Sequence, residues 1–109
     1  MAHDSDLADR IREHLAHRSD VRERSMFGGL AFLVNGNMAV AANRKGELLV
    51  RVDPADAEAL LADTTAEQSV MGSRTMRGWL DVETADLSDG EVAAWLDRGV
   101  ARAESLPAK

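Results

Sequence analysis

His14 and His17 stand three residues apart with Glu13 beside them, a spacing that can bring two imidazoles on one helical face to a single metal ion. The only other histidine, His3, falls in the N-terminal end segment, where chains are commonly mobile. Two or three ligands from one exposed helical face make an incomplete metal site. These histidines therefore read as solvent-exposed, and neither a metal nor any other cofactor is expected. Serine hydroxyls are present, but no Gly-x-Ser-x-Gly element occurs, and no His in the C-terminal part could complete a later triad. The chain has no cysteine, which removes disulfides, thiolate catalysis and cysteine-ligated metal centres. Gly28-Gly29 lacks both the Lys-Ser/Thr signature and the following helix of a phosphate loop. The carboxylates Asp81, Glu83, Asp86, Asp89 and Glu91 lack the Asp-x-Asp-x-Asp-Gly order of a calcium loop, and they read as helix-dipole compensation and a solvated face. No catalytic residue set emerges, and the protein is not expected to be an enzyme.

Two other groups of residues carry chemistry of binding. Arg74 and Arg77 lie in the glycine-bounded stretch Gly72-Ser73-Arg74-Thr75-Met76-Arg77-Gly78, where two guanidiniums can clamp a small anion or a nucleotide phosphate. Trp79 follows directly, between Arg77 and Asp81, and serves either as core or as the anchor of a contact surface; Trp95 reads as core.

These side chains need a frame, and 109 residues supply one domain able to bury roughly 60–68% of its unfolded surface. Forty-five per cent of residues are apolar, and the formal net charge is -6. That sign opposes the positive footprint of a nucleic-acid binder, although Arg18, Arg22 and Arg24, then Arg44 and Lys45, then Arg74 and Arg77 form local basic groups. Direct nucleic-acid binding is not expected. The start lacks a secretory signal, and no apolar run reaches the roughly 18–20 residues that span a bilayer. The expectation is a soluble, cytoplasmic protein that does not enter a membrane.

The elements follow from local pattern. Leu7, Ala8, Ile11 and Leu15 make an i, i+4, i+8 stripe on a first helix that Ser5 or Asp4 can cap. Ser25 to Phe27 begins a strand that Gly28-Gly29 bends, with Leu30, Phe32 and Val34 alternating beyond it. Asn35-Gly36 is the preferred pair for a two-residue type I′ turn, so Met38 to Ala42 returns antiparallel. A turn at Asn43 to Gly46 leads to a strand from Glu47 to Val52, with Leu48, Val50 and Val52 on one face. Asp53-Pro54 starts a second helix running to about Ala62. Glu67 to Met71 and Trp79 to Val82 form two strands with Gly72 to Gly78 as their connection. Ser88 and Glu91 form a capping box that opens a last helix with Val92, Trp95, Leu96, Gly99, Val100 and Ala103 at helical spacing. The predicted order is α-β-β-β-α-β-β-α: an α+β two-layer sandwich with a mainly antiparallel, five-stranded sheet.

Met26-Phe27-Gly28-Gly29-Leu30-Ala31-Phe32, Asn35-Gly36-Asn37-Met38, Leu48-Leu49-Val50-Arg51-Val52, and then Gly72, Arg74, Met76 and Gly78-Trp79 resemble the N-terminal domain of the TfoX/Sxy family of competence regulators. The resemblance covers roughly residues 5 to 104. It implies a two-layer α+β fold like that of secretion chaperones, with helices on one face of the sheet, and a regulatory, non-enzymatic role, since founding members regulate DNA-uptake genes. Two features differ from the family pattern. Full-length regulators carry a second, C-terminal helical domain, whereas this chain ends at Ser105-Leu106-Pro107-Ala108-Lys109, so a stand-alone N-terminal-type domain is expected. Many relatives have Gly-Arg-Pro-Met where this chain has Gly72-Ser73-Arg74-Thr75-Met76, which lacks the stiffening proline. The expected function is a protein-interaction domain that binds a partner or a second copy of itself through a sheet edge or apolar patch around Met26, Phe27, Arg74, Arg77 and Trp79. The competing reading is an anion or nucleotide site at Arg74 to Trp79.

Overall fold

A computed structural model of the chain describes residues 5–26, 29–43, 47–71, 73–85 and 87–107. Three helices and six strands follow one another as α1 Ser5–Leu15, β1 Val21–Met26, β2 Gly29–Val34, β3 Asn37–Ala42, β4 Glu47–Arg51, α2 Pro54–Asp63, β5 Glu67–Met71, β6 Arg74–Glu83 and α3 Asp89–Ser105. The sheet is antiparallel throughout and open, in the order β1-β2-β3-β4-β6-β5. No helix among the described residues is long and apolar enough to cross a membrane.

The sixth strand corrects the expected five. Val21–Met26 has one clear apolar residue ahead of Arg22, Glu23, Arg24 and Ser25, so it carries no period-2 signal, yet it pairs with β2 along its whole length from Val21↔Val34 to Met26↔Gly29. It is an edge strand, where exposed charge discourages edge-to-edge aggregation. Its pairing also changes the role of the glycines. The chain reverses between Met26 and Gly29, instead of bending within one strand. Arg12 of α1 holds this edge by donating from Nε and Nη2 to both carboxylate oxygens of Glu23, at 2.8 and 2.9 Å. Ahead of β1, the Arg18 guanidinium hydrogen-bonds Asp20 and holds its carboxyl below the ordinary carboxylate range, and it also reaches Glu104 of α3 at 3.3 Å.

Local signals elsewhere give the elements they predict. Asn35 and Gly36 both take positive φ, 54° and 81°, as a type I′ turn requires. Asp53 accepts from the Ala55 amide at the start of α2, with Pro54 at the first helical position. Ser88 and Glu91 form the reciprocal capping box of α3. Asp4, one cap candidate for α1, lies outside the described residues, as do His3, Arg44, Lys45, Gly46, Gly72 and Asp86.

One core results. Leu7, Ala8, Ile11 and Leu15 of α1, Ala57 of α2 and the apolar stripe of α3 bury against Leu30, Phe32, Val34, Val40, Leu48, Val50, Leu80 and Val82. Every one of those strand residues lies on the same face of the sheet, so all three helices pack on that face. Asn37 is buried where β3 begins, and its Nδ2 donates to the carbonyl of Pro107 at 2.9 Å, with that of Ala103 at 3.4 Å. The hairpin thereby supplies a donor to carbonyls in and just beyond the last turn of α3, where Ala103 also accepts from the Leu106 amide at 3.3 Å.

Candidate functional site

Among the described residues, no helix packs on the other face of the sheet. Strand alternation places Ala31 and Leu33 of β2, Met38 and Ala41 of β3, Leu49 and Arg51 of β4, and Trp79 and Asp81 of β6 there. Leu33, Met38, Leu49 and Trp79 remain half-buried, while Ala31 and Ala41 form a buried floor between them. The Arg51 guanidinium lies over the Trp79 ring, 5.1 Å from its centroid. Burial pushes the Arg51 pKa below its ordinary value, and the nearby charge of Arg102 lowers it further.

Register makes one row continuous across the whole sheet: Arg24↔Ala31, Ala31↔Ala41, Ala41↔Leu49, Leu49↔Asp81 and Asp81↔Glu67 are direct cross-strand neighbours. The row is basic at the β1 edge, apolar in the middle and acidic at the β5 edge. A second like-charged pair, Glu47↔Glu83, stands two residues along the strands on the same face. Like charges directly opposed across neighbouring strands are unfavourable as a pair.

The residues expected to form an interaction surface do not converge. Met26 ends β1 opposite Gly29, and Phe27 lies outside the described residues. Three strands separate β1 from β6, and the pairing places Met26 at the Glu47↔Glu83 end of the sheet while Trp79 pairs with Arg51 at the other end. At ~4.8 Å per strand and ~3.3 Å per residue, Met26 and Trp79 stand about 23 Å apart. Arg74 and Arg77 are both exposed. Their stretch is a strand and not the open connection expected, because β6 begins at Arg74 directly after the turn.

That strand is held by a residue the sequence pattern does not single out. Gln68 pairs with Leu80, but two positions later Val70 pairs with Thr75, so β6 carries a bulge between Thr75 and Leu80. Gly78 takes φ 81° within it and accepts from the Val52 amide at 2.8 Å. Gln68 Nε2 donates to the carbonyls of Met76 at 2.7 Å and Trp79 at 3.1 Å, with that of Ser69 at 3.2 Å. Gln68→Ala leaves these bulge carbonyls without that donor. The variant is expected to lose about 2 kcal/mol of stability and to speed amide exchange across residues 74 to 79. Unchanged exchange there would show that the bulge holds its shape without the side chain.

Several other charged side chains join elements of the fold. His14 Nε2 lies 2.8 Å from Asp97 Oδ1, and Arg10 pairs with Asp89 at 2.7 Å, both joining α1 to α3 across an open cleft of about 620 Å³. Arg102 reaches Asp53 at 3.8 Å beside a second cleft between α2 and α3, and Arg98 stacks on Trp95 at 4.7 Å. Neither Arg74 nor Arg77 lines these clefts. Among the described residues, no group of three or more His, Asp or Glu side chains could hold a metal ion. The acidic run is split between the two layers. Asp89 pairs with Arg10 and Glu91 caps α3, whereas Asp81 and Glu83 lie on the open face.

Geometry thus defines an α+β domain with one face packed by helices and the other open, apolar along its centre and charged at its edges. Residues 13–103 match the model of the TfoX N-terminal domain, and the chain belongs to that family. No curated protein and no solved structure matches it.

Proposed function

We propose that this chain is a non-enzymatic, cytoplasmic protein-interaction domain acting as an accessory in regulation of the competence type, with the open sheet face as its contact surface. One observation carries the reading. Leu33, Met38, Leu49 and Trp79 line the face that no helix covers, and apolar side chains gathered on an unpacked sheet mark a contact site. Family membership supports the regulatory part, since founding members regulate DNA-uptake genes.

Leu49 stands at the centre of that face, and Leu49→Asp tests it. Tagged wild type and variant are compared for proteins retained from a lysate of the cells in which the chain is made, and for self-association. The variant is expected to keep its circular dichroism spectrum and to bind at least about tenfold more weakly. Arg74→Ala with Arg77→Ala should bind as wild type does. Binding that survives Leu49→Asp, or is lost only with the arginines, moves the contact surface away from the open face.

A further inference from the structure

The polarity of the open face identifies its occupant. We infer that the surface is self-complementary and that two copies of this chain pair through it, sheet face on sheet face, about a twofold axis parallel to the strands. The inference rests on the open face being the contact surface proposed above. It adds the identity of the partner and the geometry of the pair.

Two symmetric arrangements stack this face on itself with the strands of the two copies aligned. With the twofold axis across the strands, β1 lies over β1, which sets Arg24 against Arg24 and the acidic edge against itself. An axis along the strands, between β3 and β4, instead reverses the strand order of the facing sheet. Then β1 lies over β5, β2 over β6 and β3 over β4, given the order β1-β2-β3-β4-β6-β5. Because Arg24, Ala31, Ala41, Leu49, Asp81 and Glu67 occupy one continuous row, each Arg24 meets the Glu67 of the other copy, and Ala41 meets Leu49. Leu33 falls over the strand that carries Trp79. Arg24 and Glu67 are exposed, and among the described residues neither forms an ion pair within the chain. Glu67, which stands opposite Asp81 across the strands, thereby gains a cationic partner from the second copy, while Asp81 faces the other copy's Ala31.

The size of the face fits a reversible dimer. Six strands at ~4.8 Å and about five residues at ~3.4 Å give roughly 500 Å² per copy and roughly 1,000 Å² in all, the lower bound of a specific interface. Affinity in the micromolar range or weaker follows, with the charged ends setting orientation.

Charge exchange tests the arrangement in the full chain. Sedimentation velocity from about 10 µM to about 1 mM should show wild type passing from monomer to dimer. Arg24→Glu and Glu67→Arg, made singly, should each raise the dimer Kd at least about tenfold. The variant carrying both should recover the wild-type Kd, which loss of folding in either single variant could not produce. Two results would overturn the second copy as occupant: a wild type that stays monomeric throughout, or a dimer indifferent to both single exchanges. If wild type is monomeric while another protein is captured through Leu49, the open face remains an interaction surface with a different partner. If the dimer forms and also tolerates Leu49→Asp, both this assignment and the open-face reading fail.

Discussion

Replacing Gly99 with alanine is expected to destabilise the protein, although the same change in an ordinary helix interior would stabilise it by about 1 kcal/mol. Gly99 lies in α3 where the helix crosses the bulge of β3. In that bulge Phe32 pairs with Val40 and Leu33 with Met38, so Ala39 is the extra residue and Ala39 and Val40 both join the core. A Cβ at residue 99 would meet the Ala39 carbonyl oxygen at 2.5 Å and Val40 Cγ1 at 2.6 Å. The first contact is with backbone in a central strand, which cannot swing aside as a side-chain terminus can. Helix and sheet must separate, and overpacking of this kind costs about 1–3 kcal/mol, leaving a net loss of about 1 kcal/mol after the propensity gain is offset. Gly99→Val adds two methyl groups in the same place and should lose about 4 kcal/mol. Gly90 in the first turn of α3 is the control, because a Cβ there meets nothing closer than Ser88 Oγ at 3.9 Å. Gly90→Ala should raise the melting temperature by a few degrees, while Gly99→Ala lowers it by roughly 4–8 °C per kcal/mol lost. Equal signs for the two variants would mean that α3 does not touch the β3 bulge.

What the sequence shows of this fold is what neighbouring residues decide between themselves. The Asp53-Pro54 and Ser88-Glu91 starts, the Asn35-Gly36 turn and the stripe of Leu7, Ile11 and Leu15 each depend on fewer than about ten residues. The strand β1 is hidden because an edge strand need not alternate. Arg22, Glu23 and Arg24 are acceptable there only because β2 supplies the ladder and Arg12 holds Glu23. The first half of β6 is hidden for a different reason: its irregular pairing depends on Gln68, a polar residue with no signature of its own. Glycine at 72 and 78 therefore suggests a longer connection than the one the chain makes.

The candidate site was legible in part. Trp79 stands on the open face, but its partner Arg51 comes from β4 and the apolar neighbours Leu33, Met38 and Leu49 come from three strands. Alternation within a strand separates two faces without saying which one the helices cover. Leu33 and Leu49 fall opposite the stripes of Phe32 and Leu48 in the sequence, and that alone does not show whether a second layer covers them. The charge polarity from Arg24 to Glu67 is further removed from the sequence, since it exists only once five pairings fix a common register.

Phe32→Ala and Leu33→Ala measure that distinction directly, with adjacent residues giving unequal losses. Phe32 is fully buried on the helical face, between Glu23 of β1 and Val40 of β3. Truncation there removes a large apolar side chain and leaves a cavity that a paired central strand cannot collapse to fill, at a cost of about 3–5 kcal/mol. Set against the ~5–15 kcal/mol that holds a domain of this size together, the change should bring the protein close to unfolding at moderate temperature. Leu33 points to the open face and is only partly buried in the single chain, so its truncation should cost about 1 kcal/mol. Urea midpoints of the two variants, read at unchanged m value, give the comparison. Similar losses at both positions would require a second packed layer over Leu33, and neither the interaction surface nor the twofold pairing could then use that face. The predicted inequality leaves Leu33 contributing little to the single chain. Its burial then serves the complex, and Leu33→Ala should weaken self-association while the fold remains intact.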